Sequence, residues 1–162
     1  MNKQHHYQIQ VEWTGNLGSG TKNYKVYSRN HEILAKGKAT ILGSSDPAFR
    51  GDAARYNPED LFVSTLASCH MLWYLHLCSA NGITVISYVD NAEGIMKEEA
   101  NGSGAFEQVT LKPTIVLQKG DDVTLARSLH KEAHKMCFIA NSVNFPVKCE
   151  PLILATDDIG NG

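Results

Sequence analysis

Cys69 lies in the middle of a run, Leu61 to Ala80, that contains no Asp, Glu, Lys or Arg. The thiolate is the reactive form of a cysteine, and apolar burial alone disfavours it. About three turns into its helix, Cys69 is also too deep to be helped much by the N-terminal end of the helix dipole. It is therefore either an inert core thiol or one served by a cation brought in from elsewhere. For a lone cysteine the inert reading carries more weight, because free cysteine packs as a small hydrophobe. Cys78, nine residues on, faces about 180° away around the helix and ~13 Å along it, so it cannot pair with Cys69. Cys78 reads as core, and Cys149, alternating with Val147 and Pro151 on the final strand, reads the same way. Cys137 differs, because it sits in HKEAHKMCFIANS on the apolar stripe of a second helix, within its final turns. Cysteines on two helices could meet face to face in a core. Such a pair could reduce a peroxide: one thiolate takes oxygen and becomes a sulfenic acid, and the other condenses with it to a disulfide. Four cysteines offer several pairings, and spacing does not choose among them.

The histidines offer a rival chemistry. His130, His134 and Cys137 fall at i, i+4 and i+7 on one helix face, an acceptable metal-ligand spacing with Cys69 available as a fourth ligand. The reading given more weight places His130 and His134 at a solvated edge beside the apolar stripe. His70 and His76 read as buried histidines with satisfied hydrogen bonds. No metal and no cofactor is expected.

The elements that must position these groups are legible. Asn57 is a good N-cap, Pro58 suits the first helical position, and Glu59 and Asp60 suit the positive end of the dipole. Asn81-Gly82 closes the helix, glycine being the usual residue in the left-handed cap position. The apolar run is just long enough to span a bilayer. It also carries Ser64, Thr65, Ser68, His70, His76 and Ser79 and lacks flanking basic clusters, so a helix buried on nearly all sides in protein is the stronger reading. Covering it calls for sheet on one side and a second subunit on another.

YQIQVEW alternates as a strand with Tyr7, Ile9, Val11 and Trp13 on one face, GNLGSG turns, and KNYKVYS reads as the returning strand. ILAKGKATILG gives a third strand and SSDPAFRGDAAR a loop into the helix. ITVISYVDNAEGIM and AFEQVTLKPTIVLQ form a second strand pair joined across 97–104. A second helix starts after Asp121 or Asp122, carries an apolar stripe from Val123 to Ala140 and ends near Asn141. VKCEPLILA closes the chain as a strand. The order β-β-β-α-β-β-α-β predicts an α+β class with mainly antiparallel sheet in a single domain, 1–162.

With 162 residues, 43% of them hydrophobic, the chain can bury a real core. A net charge of −2 with scattered basic residues advertises no face for nucleic acid or anionic lipid. The N-terminal segment has no apolar h-region and Cys-x-x-Cys is absent, which predicts a reducing, cytoplasmic setting.

YNPEDLFVSTLASCHMLWYL resembles the helix signature of the OsmC/Ohr family, the osmotically inducible and organic-hydroperoxide-resistance proteins, through Asn57-Pro58-Glu59, the apolar run and Ala67-Ser68-Cys69. KEAHKMCFIANS is similar to the family's second cysteine motif, with Ala133-His134, then Cys137 and a small polar tail ending in Ser142. FRGD, residues 49–52, resembles the arginine segment of the OsmC-like branch. The strand and helix order agrees too, so the resemblance spans nearly the whole chain.

The resemblance implies an oxidoreductase, a cysteine-based peroxidase that reduces organic hydroperoxides, and hydrogen peroxide less well, to alcohols. It implies Cys69 as the peroxidatic cysteine that becomes a sulfenic acid and Cys137 as the resolving one that closes a Cys69–Cys137 disulfide. Arg50 would be the cation that holds Cys69 as thiolate, and Glu59 would orient that arginine. The implied reductant is a dithiol, a lipoyl group carried on a protein. The implied fold is an intertwined homodimer with mainly antiparallel sheets and two long helices, one central and buried, and active sites at the subunit interface. Glu59 and Cys69 are about 15 Å apart along one helix. Either Arg50 bridges them or Glu59 serves the cysteine of the other subunit. Phe138 stands where many members have proline, His70 where better-known members carry an apolar aromatic, and Arg29 and Arg55 compete with Arg50. A reading from another class is a peroxide-inactive dimer that binds a small apolar ligand in the same pocket.

Overall fold

Asn57 and Asp60 begin the long helix as a reciprocal cap. The Asp60 N–H donates to Asn57 Oδ1 at 2.7 Å, and the Asn57 N–H donates to Asp60 Oδ2 at 3.3 Å. Helix α1 then runs Pro58–Ala80. It closes in a Schellman motif, with Ile83 N–H on Cys78 O at 2.9 Å and Gly82 N–H on Ser79 O at 3.3 Å. Gly82 has φ 73°, which a side chain would disfavour. Both predicted ends of α1 are thus in place. The structure is a computed structural model that describes residues 3–156, and the chain divides into two compact units, 1–61 and 62–162.

The first unit carries a three-stranded antiparallel sheet, β1 (Gln10–Trp13), β2 (His31–Leu34) and β3 (Ile41–Gly43), in that order. Two expectations change here. The segment 22–28 is not a returning strand. Arg29 gathers it into turns instead: its guanidinium lies over the Tyr24 and Tyr27 rings, 4.0 and 4.3 Å from their centroids, and donates to both residues' carbonyls. The stretch ILAKGKATILG is two strands rather than one, because Gly37 at φ 75° turns the chain between β2 and β3.

The second unit shows why a pair of long strands became four short ones. β4 (Val85–Asp90) pairs antiparallel with β7 (Pro113–Leu117), and β5 (Glu93–Glu98) pairs antiparallel with β6 (Gly104–Leu111). The hairpin leaves one sheet for the other at Lys112, whose N–H goes to Asp90 Oδ1 at 2.7 Å instead of a ladder partner, and Pro113 has no N–H to give. The closing strand divides at the same place. β8 (Val147–Cys149) runs parallel to β6, Glu150 N–H donates to Leu111 O at 2.9 Å, and β9 (Leu152–Ala155) runs parallel to β7. The α+β class holds, with two parallel pairings added to the antiparallel ones.

Helix α2 runs Val123–Met136, capped by Asp122 through Leu125 N–H at 2.9 Å. It stops short of the predicted Asn141 because Cys137 leaves helical geometry, at φ −69° and ψ 107°, and a short 3-10 turn follows at Ala140–Ser142. The main core joins Tyr74 and Cys78 of α1 to Ala126, Leu129 and Ala133 of α2 and to Ile115, Leu117 and Ile153 of the sheet. A second cluster centres on Leu66, Val109 and Leu111.

The chain itself buries only one stripe of α1, at Leu66, His70, Tyr74 and Cys78, which recur every fourth residue. Leu72 on another face is 63% exposed. Within one chain the sheets and α2 supply cover along a single line, the sheet side of the expected cover, and the other faces of α1 are left to a second subunit or to solvent. By length and composition α1 is also the one helix among the described residues that could cross a membrane.

Candidate active site

Cys69 and Cys137 come together. Cys69 is half-buried at mid-α1, Cys137 is 1% exposed at the end of α2, and the two thiols lie close enough to perturb each other while remaining free of disulfide. The end of α2 is built to aim Cys137. Ala140 N–H donates to Cys137 Sγ at 3.4 Å, Asn141 Nδ2 donates to Lys135 O at 2.9 Å, and Ser142 Oγ donates to Phe138 O at 2.7 Å. The small polar residues after the cysteine thus fix its backbone. Burial, with the neighbouring Cys69 thiol second, pushes the Cys137 thiol up from 9.0 to about 11. It is held protonated at neutral pH.

Apolar rings stand beside the pair. Trp73, one turn beyond Cys69, meets Phe138 edge-on with centroids 5.9 Å apart. Phe138, the departure noted in the second cysteine motif, therefore adds an aromatic wall next to Cys137. Phe62, Phe106 and Phe145 form a second ring cluster, with centroid separations of 5.1 to 5.9 Å.

The first unit holds the three arginines named as rivals, and their surroundings differ. Arg29 is spent on Tyr24 and Tyr27, and Arg55 faces Asp52 at 3.6 Å and His31 O at 3.5 Å. Arg50 is exposed, its backbone N–H closes the turn on Pro47 O at 3.0 Å, and its guanidinium makes no hydrogen bond or ion pair among the described residues. It follows the short 3-10 turn Pro47–Phe49 and is the single non-glycine residue among those described with positive φ, at 65°. A left-handed backbone costs a residue with a side chain roughly 1–2 kcal/mol. Glu59 lies half-buried in the first turn of α1.

His70 is buried and hydrogen-bonded and His134 is exposed, as the sequence reading had them, but His130 and His76 depart from it. His130 is buried, at 4% exposure, not at a solvated edge, while His76 is exposed against the Trp73 ring. His134 is exposed, so the spacing set His130, His134 and Cys137 does not converge. What converges instead is His70, His130 and Cys149. His70 Nε2 and His130 Nδ1 are 3.0 Å apart, and Cys149 Sγ is 3.6 Å from each. Cys149 is thus half-buried with two histidine neighbours rather than packed among apolar side chains alone. Burial drives His70 down to about 4, with His134 adding to the effect, and drives His130 down to about 3, with His70 and Arg127 adding. Burial, then Asp90 and Glu150, pushes Cys149 up to about 12. Tyr74 stacks on His130 with centroids 3.9 Å apart.

The inward positions of these residues were readable, since His70 shares a stripe with Leu66, Tyr74 and Cys78. Their convergence was not, because it depends on β8 lying beside β6.

The sequence profile of a family described as OsmC-like protein matches residues 51–151. Solved structures agree with it. An OsmC-like protein of unknown function from Vibrio cholerae O1 biovar eltor strain N16961 superposes with a TM-score of 0.84 at 31% identity, covering 92% of this chain and all (100%) of that one. An organic hydroperoxide resistance protein from Elizabethkingia anophelis, with thiocyanate bound, gives a TM-score of 0.65 at 18% identity over 95% of this chain and 100% of that one. A further Vibrio cholerae structure, a putative organic hydroperoxide resistance protein with captopril bound in one of its active sites, gives 0.65 at 21% identity over 94% and 95%. At those lower identities the likeness is one of fold. Among curated proteins no relative matches the chain.

Proposed function

The chain belongs to the OsmC-like protein family, and from that premise we propose that it is a cysteine-based peroxidase for organic hydroperoxides. The observation that carries the reading is the contact between the Cys69 and Cys137 thiols, one on α1 and one at the end of α2. In this reading the Cys69 thiolate attacks the outer oxygen of the hydroperoxide. The O–O bond breaks, the alcohol leaves with a proton, and Cys69 becomes a sulfenic acid. Cys137 then displaces hydroxide from that sulfur, which departs as water, and a disulfide forms. Two electrons have passed from the thiol pair to the peroxide. A dithiol, a lipoyl group on a carrier protein, returns them by exchange.

Arg50 is the proposed cation that holds Cys69 as thiolate, and Glu59 the carboxylate that orients it. Two features support Arg50 over its rivals: its guanidinium has no partner among the described residues, and its backbone is strained, as at many working sites. The rings of Trp73 and Phe138 favour hydroperoxides with apolar tails over hydrogen peroxide. The faces of α1 outside its buried stripe, where Leu72 is 63% exposed, support a homodimer, and the same proposal sets it in the cytoplasm without nucleic acid or membrane as partner.

The test is a limiting dose of alkyl hydroperoxide on the reduced protein, followed by peptide mapping. A Cys69–Cys137 bridge with one alcohol released per chain is the expected result. Bridging through Cys78, or peroxide consumption by Cys69→Ser, would overturn the proposal. A folded dimer that binds apolar ligands and leaves peroxide untouched would replace it with a binding function.

A further inference from the structure

We propose that His70, His130 and Cys149 form a binding site for a thiophilic divalent metal ion of the zinc class. Three ligand atoms from α1, α2 and β8 lie within 4.8 Å of one another. Their separations are 3.0 Å between the two nitrogens and 3.6 Å from sulfur to each. Zinc holds imidazole nitrogen at ~2.0–2.1 Å and thiolate sulfur at ~2.3 Å, which puts tetrahedral ligand atoms ~3.3–3.6 Å apart. The observed triangle is already that size, apart from a nitrogen pair that must open by a few tenths of an ångström. The sulfur stands at equal distance from both nitrogens, as ligands around one point do.

The chemistry of the donors agrees with the geometry. Two imidazoles and a thiol are the mixed set that suits zinc, and they leave a fourth position for water or another ligand. In the metal-free chain the trio is held by its own contacts, which leave part of its polar surroundings unsatisfied. A single proton between the two histidines satisfies one nitrogen of each. It leaves His130 Nε2 buried without a hydrogen-bond partner, and Asp90 Oδ2 is likewise buried and unpartnered. Such groups are uncommon in a core and are costly there. A dication held by His70 Nε2, His130 Nδ1 and Cys149 Sγ would turn the thiol into thiolate, release one proton, leave the His130 proton on Nε2, and offset the burial of the Asp90 carboxylate.

The set is distinct from the redox pair, although His70 directly follows Cys69 in sequence. His70 points along the buried stripe of α1 with Tyr74 and Cys78, and Cys149 enters from β8. Metal here would cross-link α1, α2 and the closing strand, and would leave Cys69 and Cys137 their own chemistry.

The experiment uses the full chain, reduced and stripped with a chelator, then titrated with zinc and separately with cobalt as a spectroscopic stand-in. One ion per chain is expected, with a thiolate-to-cobalt charge-transfer band and tetrahedral visible bands. Cys149→Ser and His130→Gln should lose the band, whereas Cys69→Ser and Cys137→Ser should keep it. Because a buried variant can fail to fold, the native chain supplies a second readout: stoichiometric zinc should protect Cys149 from alkylation and leave Cys69 reactive. Absence of stoichiometric binding, a band that survives in Cys149→Ser, or protection that falls on Cys69 and Cys137 would each overturn the site.

Discussion

The buried resolving thiol makes the second half of the proposed reaction strongly pH-dependent. Cys137 titrates at about 11 rather than 9.0, chiefly because it is buried. At pH 7 its thiolate fraction is therefore ~10⁻⁴, against ~10⁻² for an ordinary thiol. A higher pKa also makes the thiolate a better nucleophile, by roughly eightfold over two units at a Brønsted slope near 0.45. The net handicap against an exposed thiol is then about tenfold. Because burial persists when Cys69 carries oxygen, disulfide closure should accelerate about tenfold per pH unit between pH 7 and 10 and level off near 11. The assay is a single turnover. Reduced protein is mixed with one equivalent of alkyl hydroperoxide, quenched over time with a sulfenic-acid trap at several pH values, and read by mass spectrometry. The Cys69 adduct should be abundant and long-lived at pH 7 and vanish by pH 9. A closure rate that is flat from pH 6 to 9, or that breaks near 7, would refute the reasoning, since it would mean that Cys137 is a thiolate despite its surroundings.

Arg50→Ala should slow formation of the Cys69 sulfenic acid while leaving closure, once it has formed, near the native rate; stopped-flow with separate peroxide and quench phases distinguishes the two. Leu66→Ala, at a position 1% exposed beside Val109 and Leu111, should cost about 3–5 kcal/mol, read as a lower urea midpoint at fixed protein concentration. In metal-free protein His70 and His130 titrate at about 4 and about 3, below the ordinary 6.5 of an unfolded chain. The unfolded state then takes up protons that the fold refuses, so stability is full above pH ~6.5 and falls below it by up to about 1.4 kcal/mol per unit per histidine, until pH 4 and 3 respectively. Urea midpoints across pH 4 to 8 check this, and His130→Gln should flatten the profile. Light scattering on the reduced protein should give a dimer at micromolar concentration, and a stable folded monomer would count against the homodimer.

Local rules made the helices legible and long-range pairing hid the rest. Asn57, Asp60 and Gly82 mark the ends of α1 by hydrogen bonds within a few residues, and the structure keeps all three. Cys69 and Cys137 were placed together by a motif resemblance, and spacing alone left four thiols open. The segment 22–28 alternates like a strand, yet Arg29 stacking on two tyrosines overrides the pattern. The bend at Lys112 gives no signal beyond the proline after it, because its cause is Asp90, 22 residues earlier. His130 reads as an edge residue on its own helix and becomes interior only when β8 brings Cys149 against it.

The parallel pairing of the last two strands has a consequence for synthesis on the ribosome. Val147 pairs with Val109 and Ile153 with Ile115, so the two sheets of the second unit each stay one strand short until residues some 38 positions further on have emerged. Cys69 and Cys137 both leave the exit tunnel before those strands do. For that interval α1 has only part of the sheet that its buried stripe rests on, and its thiol is open to whatever oxidant is present. Peroxide stress during translation should therefore damage nascent chains more readily than finished ones.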